Sequence, residues 1–570
     1  MLNIDYVEGL NLVGKASIGS IENIDCTLNI ANNSFPSLEI ENAFFNMEMR
    51  KYFQTPPKTI TCTSQHNFFT LYNNKSTGSS FIPEFIIHGR ETKNFNGIDI
   101  SLSGLYSFFD GYSNFEIEDS CICKNITDLF VETRFYIDSD LYYFSVAHAY
   151  SCSKEIDTTT LIEDAIVRVR RDRGSISLDE VKNIVKKIRI LFSLLLGFDL
   201  SIKKTWLVSS DEESINPFYF YAPSKPAQPF KHPHDCFIYS AQLLNNDDWS
   251  KILTCTFNNM SSSISEFWVR LVSMFSYKGF WEYEILGVVS LLDAYSKNYH
   301  KINTDKKMPA GHFKKIKKQI KDILLEYKNG LPSDSNKSSF CEVIDNIETQ
   351  ISYIKNTNAQ DFKSILNLLM ENISVNIKKL IDFKNVDFDI IIKIRNLAAH
   401  GSPINDSIME NLQQVMIIKE KIKFFLLYIF FTSIGFSDVD FIRLCRNTFN
   451  KIKLGAHLDS YVLNVTYGNG VAIDIDVENM DKAKKKSTVN ATIMLHIKSN
   501  RYEINNEYLN EIIDSILTTN RDKHFNIIDL IYEEFINDEI FSVEYLPSVF
   551  LCCKNEKIEL HGAYLIKSND

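Results

Sequence analysis

Proline and glycine are sparse in this sequence, at 13 and 20 of 570 residues, which excludes a collagenous chain. No apolar run approaches the roughly 20 residues that a membrane-spanning helix needs. The longest, from Phe424 to Phe431, sits in a segment that is polar on both sides. The first residues, Met1 to Glu8, carry neither a basic stretch nor a following apolar run, so no signal peptide is expected. Gly-x4-Gly-Lys and Gly-x-Ser-x-Gly are both missing, which disfavours a P-loop NTPase and an α/β-hydrolase. An excess of positive charge is missing too: 61 Lys and Arg face 72 Asp and Glu, a net −11. An acidic total repels phosphate on average, so any nucleic-acid contact has to come from a local basic patch.

What is present is the composition of a soluble globular protein, 45% hydrophobic and 23% charged. At about 150 residues per domain the length suggests three or four domains, or two with large insertions. The 11 cysteines are odd in number and scattered from Cys26 to Cys553, which reads as reduced thiols in a cytoplasmic protein.

The periodicity predicts an α+β multidomain chain. Residues 1–175 alternate with period two, as in Thr59-Ile60-Thr61-Cys62-Thr63 and Ile98-Asp99-Ile100-Ser101-Leu102, and predict a β-rich N-terminal domain. Ser177-Leu178-Asp179-Glu180 has the spacing of a capping box, and Gly197 stands where a helix-ending glycine would. Residues 176–255 are expected to form a connecting helix, a short strand at Trp206–Val208 and a Pro-punctuated linker from Pro217 to Pro233. Long helices are expected across 256–440 as an all-α bundle, with single helices from Phe362 to Ile381 and from Asp406 to Thr432. A mixed α/β segment over 455–570 completes the chain. It has a hairpin turning at Tyr467-Gly468-Asn469-Gly470, helices near 507–518 and 525–536, and a closing strand pair.

One stretch carries chemistry: Lys393-Ile394-Arg395-Asn396-Leu397-Ala398-Ala399-His400-Gly401-Ser402-Pro403. On its helix Asp389, Lys393, Asn396 and His400 recur as one polar stripe opposite Ile390, Ile391, Ile394 and Leu397. Gly401 and Pro403 stop the helix at His400, where the helix dipole favours the protonated ring. Cleavage of RNA by its own 2′-hydroxyl needs proton transfer, which histidine performs near neutrality, and a cation on the phosphate, which arginine supplies. One histidine cannot easily be base and acid at once, so two copies meeting across a dimer interface would supply both. A helix-ending His followed by Gly is also a common structural cap.

Arg395-Asn396-x3-His400 near the end of a helical bundle resembles the Arg-polar-x3-His motif of HEPN ribonucleases. The helix from Ile285 to Tyr295 looks like the early HEPN helix that carries an acidic residue, with Asp293 in that place. The order of a β-rich domain, a helix and a bundle is similar to ApeA-type antiphage proteins. The resemblance implies a metal-independent endoribonuclease that acts on RNA, with tRNA as one target class, and dimerises through its bundle. It implies His400 as general acid or base, Arg395 as phosphate clamp, Asn396 as positioner and Asp293 as accessory acid. The flanking domains would restrain the nuclease or sense a phage-encoded trigger in abortive infection.

The local basic patch is present. Nine lysines and one acid lie between Lys297 and Lys321. Placing Phe313, Ile316, Ile320, Leu324 and Tyr327 inward would leave Lys314, Lys315, Lys317, Lys318 and Lys321 outward, for RNA phosphates or simply for solvent. Lys393 would join them. Arg168-Val169-Arg170-Arg171-Asp172-Arg173 reads as a basic loop after a strand. His232-Pro233-His234-Asp235-Cys236 lacks a second ligand pair at a recognisable spacing, so no metal and no cofactor are expected. The competing reading is a non-catalytic bundle, an adaptor or sensor for RNA, a nucleotide or a protein, in which Arg395 and His400 are structural.

Overall fold

The computed structural model describes the backbone except residues 1–5, 7, 31–33, 42–46, 91–93, 111–115, 119–120, 124–128, 155–158, 210–214, 223–231, 239–243, 261, 304–309, 332–336, 354–361, 401–405, 486–490, 498, 506–527, 529–540, 555 and 569–570. Some side chains inside helices and strands lie outside the description as well, that of His400 among them. The chain is mixed α+β, with a large β-rich region, a helical middle and a second strand region. It forms two compact units: Met1–Glu284 with Val375–Phe383 and Leu412–Asp570, and Ile285–Ser374 with Lys384–Asn411. No helix among the described residues is long and apolar enough to cross a membrane.

Among the described residues the first unit holds a sheet of 14 strands whose neighbouring pairs are all antiparallel. Strand Thr59–Ser64 buries Ile60, Cys62 and Ser64 in strict alternation, as its period predicts. Strand Phe95–Leu102 shows why period two can mislead. Nearly every residue is buried, and two of its polar positions, Asp99 and Ser101, are satisfied from the neighbouring strand. Asp99 accepts from Arg170 Nη2 at 2.6 Å, and Ser101 donates to Asp164 Oδ2 at 2.6 Å. Gly97 lies opposite Arg170, and a Cβ there would come within 2.3 Å of the arginine Cδ. The basic run is therefore no loop: Arg168, Arg170 and Arg171 lie in strand Thr159–Arg171. Arg171 is bound to Asp140 as well.

Residues 176–255 are more than a connection. Ile202–Ser209 and Ile215–Phe220 are paired strands of the same sheet, so Pro217 stands in a strand and not in a linker. Helix Leu178–Leu196 begins with the expected capping box and ends at Gly197 with φ 71°. Helix Asn246–Asn259 lies along strand Leu129–Ile137, where Ser250 donates to the Arg134 carbonyl at 2.6 Å.

The bundle expected over 256–440 is divided between the two units. Helix Leu412–Ser433 is buried on all faces, including Lys419, Lys421 and Lys423, so it needs cover on every side and groups with the sheet-bearing unit. Two expected helices are each broken. Phe362–Glu371 and Val375–Ile381 are separated where the Asn372 side chain turns back to the Leu368 carbonyl at 2.8 Å. Asp406–Met409 and Leu412–Ser433 are separated by a turn closed from Asn411 N–H to the Ile408 carbonyl.

In the C-terminal part the expected hairpin is absent. Val462–Thr466 is a helical turn whose Asn464 carbonyl accepts from Gly470 N–H at 2.9 Å. Val471–Asp474 pairs in parallel with Val549–Cys553 instead. Ala563–Ser568 lies between Ala491–His496 and Phe541–Leu546, and Ile473, Ile493, Val549 and Leu551 share the core there. The helices expected near 507–518 and 525–536 lie outside the described residues.

Candidate functional site

The second unit contains most of helix Trp281–Asn303, then helices Ala310–Asn329, Lys337–Tyr353, Phe362–Glu371 and Asn385–His400. Helix Asn385–His400 turns Ile390, Ile391 and Ile394 inward and leaves Asp389, Lys393 and Asn396 exposed, as its 3.6-residue period requires. Lys363 stands 3.5 Å from Asp389 and ties this helix to Phe362–Glu371.

Arg395 does not project freely from this helix. Its Nε stands 3.5 Å from Asp293 Oδ1, its Nη1 donates to Asn396 Oδ1 at 3.3 Å, and its Cζ lies 5.8 Å from the Phe362 ring centre. Nε is shielded from water and makes no hydrogen bond among the described residues, so its attraction to Asp293 is an ion pair without hydrogen-bond geometry. Asp293 also accepts from Lys297 Nζ at 2.6 Å, one turn along its own helix. One carboxylate thus serves two cations and leaves net positive charge around Arg395.

Three of the expected site residues therefore meet: Arg395, Asn396 and Asp293. His400 ends the helix, but its side chain and residues 401–405 lie outside the described residues. Lys393 is exposed on the stripe and turned away from Arg395 by the helix period. Phe362 and Lys297 complete the cluster. The i,i+4 spacing of Asp293 and Lys297 was a usable signal for the latter, whereas nothing in the sequence couples Phe362 to Arg395.

The basic helix departs from its expected orientation. Lys317 donates to the Ser352 carbonyl at 2.8 Å and Lys321 to Glu348 at 3.1 Å, so both face helix Lys337–Tyr353. Lys314, Lys315 and Lys318 remain exposed. The supposed inward stripe is instead substantially open: Ile316, Ile320 and Tyr327 are exposed, with Ile323 and Leu325 beside them. Amphipathic period alone could not tell which face finds the partner, because the lysine stems cover the packed side.

The His232–Cys236 cluster has structural work. Pro233–Asp235 is a short 3-10 turn, Asp235 accepts from His232 N–H at 3.1 Å, and Cys236 is buried. Comparison with protein-family models, curated proteins and solved structures finds no match to this chain.

Proposed function

We propose that the chain is a HEPN-type endoribonuclease that cleaves RNA phosphodiesters without a metal, within a cytoplasmic antiphage response that ends in abortive infection. The observation that carries this reading is the meeting of Arg395, Asn396 and Asp293 at the end of the helix that terminates in His400. In the proposed reaction His400 transfers the proton and Arg395 stabilises the charge on phosphorus. Asn396, bonded to the guanidinium, fixes its fork, and Asp293 holds the arginine through the opposite edge.

A homodimer would supply the second histidine. The exposed Ile316, Ile320, Ile323, Tyr327, Phe340 and Val343 of helices Ala310–Asn329 and Lys337–Tyr353 support an association surface in the same unit. The exposed Lys314, Lys315 and Lys318 support RNA contact. The flanking domains would restrain the nuclease until a phage-encoded trigger arrives.

The Asp293 ion pair also favours a second reading, in which Arg395 is a structural cation of a non-catalytic RNA, nucleotide or protein adaptor. Incubating RNA with the purified chain and with His400→Ala and Arg395→Ala separates the two. The ribonuclease gives 2′,3′-cyclic phosphate ends in EDTA and loses activity by at least about 100-fold in each variant. Unchanged cleavage, or an intact cellular phenotype in both variants, overturns it.

A further inference from the structure

We infer that the cleft between helices Leu178–Leu196 and Ser262–Phe275 binds a free nucleotide, with its phosphates on Lys186 and Arg270 and its base against Tyr221. This site lies wholly within the first compact unit, outside the Arg395 cluster, and does not depend on the ribonuclease reading.

The cleft holds about 600 Å³, within the range of small-molecule sites, and Ile190, Ile202 and Val272 give it apolar walls. A second hollow of about 270 Å³ shares Lys186 and Tyr221 with it, so these two residues stand where the hollows adjoin. The space suits a ring system with an anionic group attached, more than a bare anion needs.

The charge is one-sided. Among the described lining residues, Lys186, Arg189 and Arg270 face Glu266 in the larger hollow, and Lys75, Lys182 and Lys186 face Glu84 in the smaller one. Two of these cations are already committed. Arg189 donates to Asp199 Oδ1 and to the Leu200 carbonyl, each at 2.7 Å, and Lys182 donates to Glu84 at 2.6 Å. Among the described residues neither Lys186 nor Arg270 is joined to an acid by a hydrogen bond or an ion pair. Lys182, Lys186 and Arg189 follow one another along a single face of their helix, so their like charges reinforce one another in a concave wall. Burial and then the charge of Lys182 lower the pKa of the Lys186 ammonium, a cost that a bound anion would relieve.

An aromatic platform stands at the same junction. Tyr221 packs on Phe35 with ring centres 4.1 Å apart and planes at 37°. Phe35 is itself exposed. A base laid on this pair would bring its phosphates toward the unpaired cations. Recognition by a cation and a ring together favours a nucleotide over a phosphoserine, a phosphothreonine or a simple carboxylate.

The test uses the full chain and fluorescence anisotropy of N-methylanthraniloyl ATP and GTP. Competitors are unlabelled mono- and triphosphates of the four ribonucleosides, adenosine, inorganic phosphate and a short RNA. Saturable binding of one nucleotide per chain is expected. Lys186→Glu and Arg270→Glu should each weaken it by about tenfold or more, and Tyr221→Ala by several-fold. Both cations lie on the surface, so circular dichroism should report an unchanged fold. Four results would overturn the assignment: no displaceable binding at about 1 mM, affinity indifferent to both charge reversals, phosphate competing as well as nucleotides, or binding of RNA alone.

Discussion

Arg395 reaches from its helix to Asp293, Nε to Oδ1 at 3.5 Å, while Asp293 also accepts from Lys297 at 2.6 Å. Both members of the pair are mostly shielded, at 29% and 15% side-chain exposure, whereas Lys297 is 55% exposed. The two contacts of Asp293 are therefore unequal in kind, one inside the bundle and one at its surface. Asp293→Asn keeps the shape and removes the charge that Arg395 faces. Urea unfolding should show a loss of about 1–2 kcal/mol, and Lys297→Ala less than about 0.5 kcal/mol. On the ribonuclease reading the same variant lowers kcat about tenfold, because the guanidinium loses one of its two guides. Additive effects of Asp293→Asn and Arg395→Ala on stability would show that the pair is not coupled.

Part of this cluster was legible in the sequence. The Arg395-Asn396 pair and the exposed stripe of Asp389, Lys393 and Asn396 follow from a 3.6-residue period. The capping box at Ser177 and the terminal Gly197 were equally readable, since local bonds fix both. What failed depended on partners far along the chain. Val471–Asp474 takes a parallel partner 78 residues away in register, Val471 with Val549, where local turn chemistry suggested a hairpin. Arg170 sits in a strand because Asp99 receives it, and no period in residues 168–173 encodes Asp99.

A buried ionic cluster in the first unit gives a second prediction. Glu284 accepts from Lys419 at 2.8 Å and from Lys423 at 2.6 Å, and Glu420 lies beside both lysines. Burial alone would raise the Glu284 carboxyl. The charge of Lys423 and the hydrogen bonds of both lysines outweigh it and hold the group below its ordinary 4.5. A depressed acid contributes stability that is present above its unfolded value and is lost as pH falls through its folded value. Glu284→Gln should thus cost about 3 kcal/mol at pH 7, by leaving two buried lysines to share Glu420. It should also flatten the decline in stability below about pH 4.5. Parallel stability–pH curves for the two proteins would remove Glu284 from the acid response.

The basic helix separates into two sets of lysines with different expected losses. Replacing Lys314, Lys315 and Lys318 by Glu should weaken RNA binding and reduce its dependence on salt, with the fold unchanged. Replacing Lys317 and Lys321 removes bonds to Ser352 and Glu348 and should lower stability with a smaller effect on the salt slope. Equal salt slopes in both variants, measured by filter binding across a salt series, would show that this face does not contact RNA.

The same helix pair decides the proposed dimer. Ile323 is 65% exposed, Tyr327 66%, and Phe340 and Val343 of the next helix are 53% and 55%. Ile316, Ile320, Ile323 and Tyr327 recur at +4, +7 and +11, so they form one stripe along the helix. Leaving such a stripe in water forgoes roughly 1.5–3 kcal/mol for each large side chain that a partner could bury. A charge there is costly only if the stripe is covered. Ile323→Asp and Phe340→Asp should therefore shift a sedimenting dimer toward monomer, leave the far-ultraviolet circular dichroism unchanged, and abolish RNA cleavage by separating the two His400 rings. If the variants stay dimeric, association uses another surface. If they become monomers that still cleave RNA at the wild-type rate, one histidine suffices and the two-copy argument fails.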